Sequence, residues 1–391
     1  MNPKQFMLIA GEASGDLLAA ELVSALRGKL PDTRFFGAGG SRMAAAGVEL
    51  AFDLTQHSVI GVSDVLKNYF KFRRLFHQLL ALAIQRQPDA IIGVDYGGFN
   101  LRFGQAVKKY VRENPFVNWN PKIVQFVSPQ VWASRPGRAN RLAADYDLLL
   151  SIFPFEKDWY ARRVPKLRVE FVGHPMIGRF VSEGRVTRVP DTEKLGTRRA
   201  RPSEILLLPG SRKSELQRHL PVMLGALKTI REKLPDIRTK MVLPDEALKQ
   251  LANKLSALPS DTEIQIGNLP QALAQADVAI ASTGTVTMEC AFFGVPAVTL
   301  YKTSWCTYQI AKRIVTVKSL TMPNLLANEE VFPEFVQGAA TPDHIAGAAL
   351  ELLQNEPRRV QIKKRLAEVV SSLGGPGATK HAAAAILSLF N

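Results

Sequence analysis

Two widely separated stretches of this chain begin in the same way. FMLIAGEASGD at 6–16 and ILLLPGSRKSE at 205–215 each run from an apolar β-type segment through a glycine-containing loop with a serine into a helical stretch. Strands that alternate with helices form parallel βαβ units and open, doubly wound sheets. The repeated opening therefore predicts an α/β chain of two Rossmann-like domains, with a cleft between them onto which the carboxyl ends of both sets of strands face.

Short apolar runs and helical periodicities fill both halves. The predicted strands are 6–10, 34–37, 90–94, 123–127, 148–152, 205–208, 239–243, 264–266, 278–281 and 297–300. The predicted helices include 16–30, 64–87, 215–234, 343–355, 357–372 and 377–389. We expect domains at 1–180 and 205–355, a polar linker at 181–204, and C-terminal helices in 356–391 that pack on the first domain or on a second subunit of a homodimer.

The charge balance points to an anionic partner. Fifty Lys and Arg against 35 Asp and Glu give a formal charge of +15, which suits nucleic acid, an anionic membrane face or phosphorylated substrates without choosing among them. Cys290 and Cys306 are too few for a disulfide framework or a four-ligand zinc site, and we expect buried free thiols in a reducing cytoplasm. No apolar run approaches the ~20 residues that span a bilayer.

Two loops of the first half carry acids. The loop at 11–16 offers Glu12, Ser14, Gly15 and Asp16 at the start of a helix, where a pyrophosphate is repelled by the acids and a neutral sugar hydroxyl is not. In the loop at 93–100, Asp95 ends a buried strand and can accept a proton from an attacking hydroxyl. The alternative for each acid is a helix cap.

A third loop, at 127–138, places an aromatic residue among cations. Trp132 beside Arg135, Arg138 and Arg141 suits a phosphate together with a sugar or apolar face. The alternative is an exposed basic helix start.

Two loops of the second half suit a diphosphate. The loop at 209–215, with Gly210, Ser211 and Arg212, combines positive charge with helix N-terminal amides. The loop at 281–289 adds hydroxyls and amides, and a carboxylate that can take both hydroxyls of a ribose; its residues are Ser282, Thr283, Gly284, Thr285 and Glu289. Capped helices are the alternative for both loops.

Eight segments, in order, resemble the lipid-A-disaccharide synthase family over nearly the whole chain. They are AGEASGD at 10–16, VD…FN at 94–100, VSPQVWA at 127–133, FPFEK at 153–157, FVGHP at 171–175, LLPGSR at 207–212, STGTVTMEC at 282–290 and MPNLLA at 322–327.

The resemblance implies a glycosyltransferase built on paired Rossmann-like domains. Such an enzyme transfers 2,3-diacylglucosamine from its UDP carrier to the 6-hydroxyl of 2,3-diacylglucosamine 1-phosphate, giving a β-linked disaccharide 1-phosphate and UDP for lipid A biosynthesis. It implies no cofactor or metal, and inversion at the anomeric carbon with Asp95 as the base. Glu12 and Asn100 fall at other positions tied to activity, and Arg212, Glu289 and Asn324 fall on the UDP side.

The sequence departs from the family in two places. Gly98 stands where many members have a second acid, which leaves Asp95 alone as the proton acceptor. Ser134 replaces a second tryptophan, which changes the packing expected on the acceptor side.

A basic, aromatic helix is predicted at 64–87. It suits an anionic bilayer surface, so we expect peripheral attachment to the cytoplasmic face of the inner membrane. The alternative is a domain-packing helix with a solvated basic face. The residues expected to contact membrane or acyl chains are Val65, Leu66, Tyr69 and Phe72.

Three other functions stay open at this point. The fold also serves other UDP-sugar transferases and epimerases, and a non-catalytic lipid- or nucleotide-binding relative fits the Gly98 departure. Nucleic-acid binding is disfavoured because the arginines are dispersed and no helix-turn-helix, zinc or RNA-binding signature appears.

Overall fold

The computed structural model of the chain describes residues 3–57, 62–182 and 202–390, and places no side chains at 57, 62–69 and 180–182. The chain forms two compact units, one made of Met1–Arg179 with Leu373–Asn391 and the other of Phe180–Ser372. The predicted linker at 181–204 lies almost wholly outside the described residues.

In the described part of the first unit, seven parallel strands form one sheet in the order β3-β2-β1-β4-β5-β6-β7. The strands are β1 (Gln5–Ala10), β2 (Arg34–Gly39), β3 (Glu49–Asp53), β4 (Ala90–Val94), β5 (Lys122–Phe126), β6 (Leu148–Ser151) and β7 (Val169–Phe171). The helices are α1 (Ala13–Arg27), α2 (Ser41–Ala45), α3 (Val62–Arg86), α4 (Gly97–Glu113), α5 (Val131–Ser134), α6 (Arg138–Asp145), α7 (Pro154–Arg163), α8 (Pro175–Ser182) and, from the C-terminus, α17 (Ala378–Leu387).

The central strands are buried on both faces, as their continuous apolar runs predict. In β1, Phe6 and Leu8 pack into one core, and Met7 and Ile9 pack into the core on the opposite face. Helix α17 packs against α1 and closes the first of these cores with Ala382, Ala383 and Ile386.

The described part of the second unit repeats this plan with six parallel strands in the order β10-β9-β8-β11-β12-β13. The strands are β8 (Glu204–Leu208), β9 (Arg238–Leu243), β10 (Thr262–Ile266), β11 (Val278–Ser282), β12 (Ala297–Tyr301) and β13 (Glu334–Val336). The helices are α9 (Lys213–Lys233), α10 (Glu246–Leu255), α11 (Leu269–Gln275), α12 (Thr285–Phe292), α13 (Trp305–Ile314), α14 (Met322–Ala327), α15 (Pro342–Gln354) and α16 (Glu356–Ser372).

Each sheet has one point where the strand order reverses, which is where open α/β sheets bind ligands. In the first unit the reversal falls between β1 and β4, and in the second it falls between β8 and β11. The loops that leave these four strands begin at Gly11, Asp95, Pro209 and Thr283. Four of the five predicted functional loops therefore start at the two positions where the topology favours a ligand, and the remaining one, at 127–138, follows β5.

The structure differs from the sequence-based prediction in three respects. The strands β3, β7 and β13 are additional, and each lies at or near a sheet edge. The C-terminal segment divides at Leu373, because α16 belongs to the second unit and only α17 joins the first. Cys290 is buried as expected, whereas Cys306 is exposed on α13. No helix in the described ranges is both long and apolar enough to cross a membrane.

Candidate active site

Asp95 leaves the end of β4 in an unusual backbone conformation. Its N–H donates to the Phe126 carbonyl oxygen at 2.8 Å, and both Asp95 (φ 52°) and Tyr96 (φ 47°) adopt the left-handed region. Aspartate tolerates this region, but a bulky residue such as tyrosine pays about 1–3 kcal/mol for it unless its surroundings impose it. The surroundings of this turn must therefore hold it in place.

Two buried side-chain amides hold the turn. Asn100 Nδ2 and Gln125 Nε2 each donate to the Asp95 carbonyl oxygen at 2.8 Å. Gly93 makes room for them, since a Cβ atom there would lie 2.7 Å from Gln125 Oε1 and 2.8 Å from Asn100 Nδ2. We call this pair of donors the amide clamp. Asn100 was expected to contact sugar, but at 2% exposure it acts on the backbone of Asp95 instead.

The carboxyl group of Asp95 has the properties of a proton acceptor. Burial raises its pKa above the ordinary value, and hydrogen bonds from the Tyr96 backbone and the Ser14 side chain oppose that rise. Gly15 allows α1 to lie close to the end of β4, because a Cβ atom there would be only 3.3 Å from the Val94 carbonyl oxygen. A half-buried carboxylate with a raised pKa takes up a proton more readily than an exposed one.

Glu12 lies on the same loop as Ser14, one residue before α1 begins. Its side chain is exposed, and its charge is the second cause, after burial, of the raised pKa of the Tyr96 hydroxyl. The Tyr96 ring covers Gly11, where a Cβ atom would lie 2.4 Å from the ring. The loops after β1 and β4 therefore meet, as the sequence predicted.

A cavity of about 330 Å³ opens beside Asp95. Its lining includes Gly97 and Gly98 together with Arg135 and Arg138. No described atom lies within 4 Å of the position that a Cβ of Gly98 would take. The missing second acid therefore leaves open space beside Asp95.

Asp16 does not belong to this site, contrary to the sequence-based expectation. It is 4% exposed, and its carboxylate accepts the backbone N–H groups of Gly40 at 2.8 Å, Arg42 at 3.0 Å and Met43 at 3.1 Å. With those donors its oxygens cap the start of α2 and are not available to a sugar. Asp16 therefore caps α2 and not α1, the helix in which it lies, so neither expected role applies.

Trp132 also differs from its expected role of contacting the acceptor. Its indole Nε1 donates to Glu156 Oε1 at 2.8 Å, and its ring meets Phe155 edge-on at 4.9 Å. Glu156 is fully buried, and burial raises its pKa to about 7 against the hydrogen bonds from Ser151 and Trp132. Trp132 thus supports the wall of the cavity from beneath, while Arg135 reaches the cavity surface.

The second unit has a larger cavity, of about 450 Å³, at its own switch point. Gly210 (φ 116°) and Gly284 (φ 147°) bend the loops after β8 and β11 into conformations that other residues rarely adopt. The predicted residues that line this cavity are Gly210, Ser211, Arg212, Ser282, Thr283, Gly284, Thr285 and Glu289. The structure thus brings the fourth and fifth predicted loops together.

Two groups in this cavity have no hydrogen-bond partner among the described residues. Burial alone raises the pKa of Glu289 to about 7, and no donor among the described residues reaches its carboxylate. The Ser282 hydroxyl is likewise buried with no hydrogen-bond partner in the described part of the chain. Because buried polar groups are normally paired, both are suited to hydrogen bonds from and to a ligand.

The loop after β8 contains its own anion. Glu215 Oε2 accepts the Ser211 backbone N–H at 3.0 Å, and Glu215 Oε1 lies 3.4 Å from Arg212 Nη1. The sequence-based prediction assigned positive charge to this turn. In the structure a carboxylate already occupies part of its positive surface.

Asn324 lies outside this cavity, although it was expected on the UDP side. It is 2% exposed, and its amide bonds to the backbone of Val331 and Phe332 and to the Glu334 carboxylate. These bonds satisfy the side chain and join α14 to β13. Asn324 therefore supports the fold around β13 and does not line the ligand cavity.

The structure assigns two histidines that the sequence left unassigned. His219 is buried; its Nδ1 lies 3.0 Å from the Pro209 carbonyl oxygen and its Nε2 accepts the Lys302 N–H at 2.9 Å. Burial lowers its pKa, so the neutral ring links the loops after β8 and β12. His174 Nδ1 accepts the Met176 N–H at the start of α8, and burial lowers its pKa to about 4.

Helix α3 is present where it was predicted. Its described aromatic side chains are exposed near Phe70 and packed on the domain near Phe76. Phe70 is 77% exposed and Phe72 is half-buried, beside exposed Arg73. Phe76 instead packs on Phe99 with ring centroids 5.4 Å apart. The side chains of Val65, Leu66 and Tyr69 lie outside what the structure describes.

Metal ligands do not assemble in the described regions. No three His, Cys, Asp or Glu side chains lie close enough together there to hold an ion.

The family model and the most similar relatives that we compared belong to the same family. A family model described as lipid-A-disaccharide synthetase matches residues 6–388. The lipid-A-disaccharide synthase of Trichlorobacter lovleyi is 36% identical over 393 residues, covering 99% of this chain and 98% of that protein. The lipid-A-disaccharide synthase of Myxococcus xanthus is 34% identical over 389 residues, with coverages of 99% and 98%.

Solved structures share the fold at low sequence identity. The UDP-GlcNAc 2-epimerase of Neisseria meningitidis, solved with UDP-GlcNAc, has a TM-score of 0.61 at 11% identity and covers 98% of this chain and 100% of its own. A glycosyltransferase of Rickettsia africae has a TM-score of 0.56 at 12% identity, with coverages of 100% and 99%. Both support two Rossmann-like units.

Proposed function

The chain belongs to the lipid-A-disaccharide synthase family, and from this we propose its reaction in detail. It transfers 2,3-diacylglucosamine from UDP-2,3-diacylglucosamine to the 6-hydroxyl of 2,3-diacylglucosamine 1-phosphate. The products are the β-1,6-linked disaccharide 1-phosphate and UDP. The family match over residues 6–388 is the observation that carries this proposal, and an epimerase or non-catalytic role is not favoured by it.

The second unit binds the UDP part of the donor. Glu289 accepts the two ribose hydroxyls, which supply the donors that its half-buried carboxylate lacks among the described residues. The Ser282 hydroxyl and the N-terminal amides of α12 face the diphosphate, where the helix dipole favours negative charge. Arg212 adds a positive charge once it turns from Glu215 to the ligand.

The first unit binds the acceptor and removes its proton. The acceptor's 6-oxygen attacks the anomeric carbon of the donor, the bond from that carbon to the diphosphate breaks, and UDP leaves with the electron pair. The proton of the 6-hydroxyl passes to Asp95, whose burial raises its pKa and so its affinity for a proton. One displacement of this kind inverts the anomeric centre. No metal ion takes part in this proposal, so turnover should be insensitive to EDTA.

The direct test uses both substrates with the purified chain. We expect UDP release from UDP-2,3-diacylglucosamine only when 2,3-diacylglucosamine 1-phosphate is present, and a product with the mass of the disaccharide 1-phosphate. Turnover of non-acylated UDP-N-acetylglucosamine without the acylated acceptor would contradict the proposal and indicate epimerase chemistry.

We also propose that the protein attaches to an anionic membrane surface, from which acylated substrates are drawn. Two helices support this attachment. On α3, Phe70 is exposed beside basic residues. On α13, no residue is buried, and Trp305 (72% exposed) and Ile310 (60% exposed) lie near Lys312 and Arg313. Basic helices with exposed aromatics bind at bilayer interfaces.

Vesicle co-sedimentation tests this attachment. Vesicles with phosphatidylglycerol should retain the protein at low salt and lose part of it at high salt, because each basic residue near the surface contributes about 1 kcal/mol. Equal binding to neutral phosphatidylcholine vesicles would contradict the electrostatic part. The expected homodimer is a separate proposal, which sedimentation equilibrium of the detergent-free protein tests.

A further inference from the structure

Two arginines line the cavity beside Asp95, and two more lie near them. Arg135 and Arg138 line it, and Arg102 on α4 and Arg141 on α6 lie close enough for their charges to act on Arg138. Burial, followed by the charges of Arg135, Arg102 and Arg141, lowers the pKa of the Arg138 guanidinium. We call these four residues the arginine cluster.

The arginine cluster has no counter-ion in the described part of the chain. None of its members forms an ion pair or a side-chain hydrogen bond there, whereas neighbouring Arg112 pairs with Asp145 at 3.4 Å. Arg138 is half-buried and the other three arginines are exposed. Like charges gathered around a half-buried one raise the electrostatic energy of the free protein. A bound anion removes that repulsion, so the arrangement is suited to an anionic ligand.

The chemistry of the cluster selects the kind of anion. Guanidinium groups bind phosphate with two parallel N–H···O bonds, and several of them together match a dianionic phosphate monoester. Asp95 lines the same cavity but forms no ion pair within 4 Å with these arginines in the described residues, so it stays available for a proton. Gly98 leaves open space in this cavity, whose volume of about 330 Å³ can hold a sugar ring.

We propose that Arg135 and Arg138, supported by Arg102 and Arg141, bind the phosphate monoester of the acceptor sugar and thereby select a phosphorylated acceptor. This inference rests on the proposed function for the identity of the acceptor. It separates two tasks within one cavity, since the cluster anchors the phosphate while Asp95 receives the proton of the attacking hydroxyl.

The test combines a change in the enzyme with a change in the substrate. Steady-state kinetics are measured for the wild type and the double variant Arg135→Gln/Arg138→Gln, each with the acceptor and with the same acceptor lacking its phosphate. We expect loss of the phosphate to raise the acceptor KM of the wild type by about 10- to 100-fold. The double variant should show a similar rise with the phosphorylated acceptor and no further rise when the phosphate is removed.

The control variant is Arg34→Gln, at the start of β2 and therefore at the opposite end of the sheet from the cavity. It should keep both KM values. The donor KM should stay within about twofold of the wild-type value in all variants, and their melting temperatures should match. If the rise in acceptor KM caused by the double substitution and the rise caused by removing the phosphate multiply, the arginines do not bind the phosphate and the inference is wrong.

Two further measurements distinguish acceptor binding from lipid binding and from a failure of the proposed function. If the double variant loses binding to phosphatidylglycerol vesicles but keeps its acceptor KM, the cluster binds lipid headgroups and the inference is overturned. If the wild type forms no disaccharide, the proposed function fails, and calorimetric titration then tests the cluster alone with glucosamine 1-phosphate against glucosamine. Tighter binding of the phosphosugar by the wild type only would support the cluster, and equal binding by both proteins would refute it.

Discussion

Replacing Glu289 by glutamine should stabilise the free protein and weaken UDP binding at the same pH. In the structure, burial raises the pKa of this carboxyl from its ordinary 4.5 to about 7. Since one pKa unit corresponds to about 1.4 kcal/mol, ionised Glu289 destabilises the folded state by about 3 kcal/mol.

The sign of the pH dependence follows from the direction of that shift. Below pH 4.5 the carboxyl is protonated in both folded and unfolded states, and it has no effect on stability. Between pH 4.5 and about 7 the unfolded chain ionises first, so stability falls as pH rises. We therefore expect Glu289→Gln to raise the free energy of unfolding by up to about 3 kcal/mol at pH 8 and to leave it nearly unchanged at pH 4.5.

The same substitution should weaken the binding of UDP. Ribose hydroxyls donate to the ionised carboxylate, and hydrogen bonds to charged groups contribute about 1.5–3 kcal/mol. UDP should bind the variant about 10- to 100-fold more weakly at pH 8, and wild-type affinity alone should rise with pH between 5 and 7.

Urea unfolding and calorimetric titration with UDP at several pH values measure both effects. Glu351→Gln, on the exposed face of α15, is the matched control and should change neither. The reasoning is refuted if Glu289→Gln leaves both stability and UDP affinity at wild-type values at pH 8.

Three further substitutions test the first unit. Gly98→Asp places an acid in open space at the second position of α4, where the helix dipole should raise the free energy of unfolding by about 0.3–1 kcal/mol. Its negative charge should also raise the pKa of Asp95 and so move the acidic limb of the pH–rate profile to higher pH. Thermal unfolding and pH–rate measurements check both effects, and a lower melting temperature would contradict the first. Gln125→Leu removes one of the two donors of the amide clamp and should lower kcat at least about tenfold. Gln125→Glu should regain activity as pH falls, because only the protonated acid donates to the Asp95 carbonyl oxygen. An unchanged kcat in the leucine variant would contradict the role of the clamp. Asp16→Ala should destabilise the protein by about 1–3 kcal/mol in urea unfolding with kcat/KM preserved, and the opposite pattern would return Asp16 to the active site.

The central strands and their loops could be predicted because their signals are local. A continuous apolar run such as 90–94 predicts a buried parallel strand, and the structure has β4 at those residues. The added strands β3, β7 and β13 are short, and each contains a glutamate, which hides the alternation or apolar run on which such predictions depend.

The roles of single polar residues were harder to predict than their neighbourhoods. Asp16 and Trp132 lie in predicted loops, but their partners come from at least 24 residues away in sequence. Asn324 bonds to groups seven to ten residues away, which the helix–strand connection brings back to it. Sequence spacing shows which loop a residue belongs to and not which donor it will meet.

Some supporting residues were not predicted although the sequence held a signal for one of them. Gln125 interrupts the apolar run KIVQF, and a polar side chain inside a strand buried on both faces needs a partner. His219 gave no such signal, since its partners are backbone atoms of Pro209 and Lys302 that come together only on folding.

The central claim is that Asp95 accepts the proton of the attacking hydroxyl, and Asp95→Asn tests it most directly. Asparagine adopts the left-handed backbone as readily as aspartate, so the turn and the amide clamp should persist. In single-turnover measurements with both substrates saturating, we expect the rate of disaccharide formation to fall about 10²- to 10⁴-fold while UDP affinity stays at the wild-type value. A variant that forms the disaccharide at the wild-type rate would show that the proton goes elsewhere.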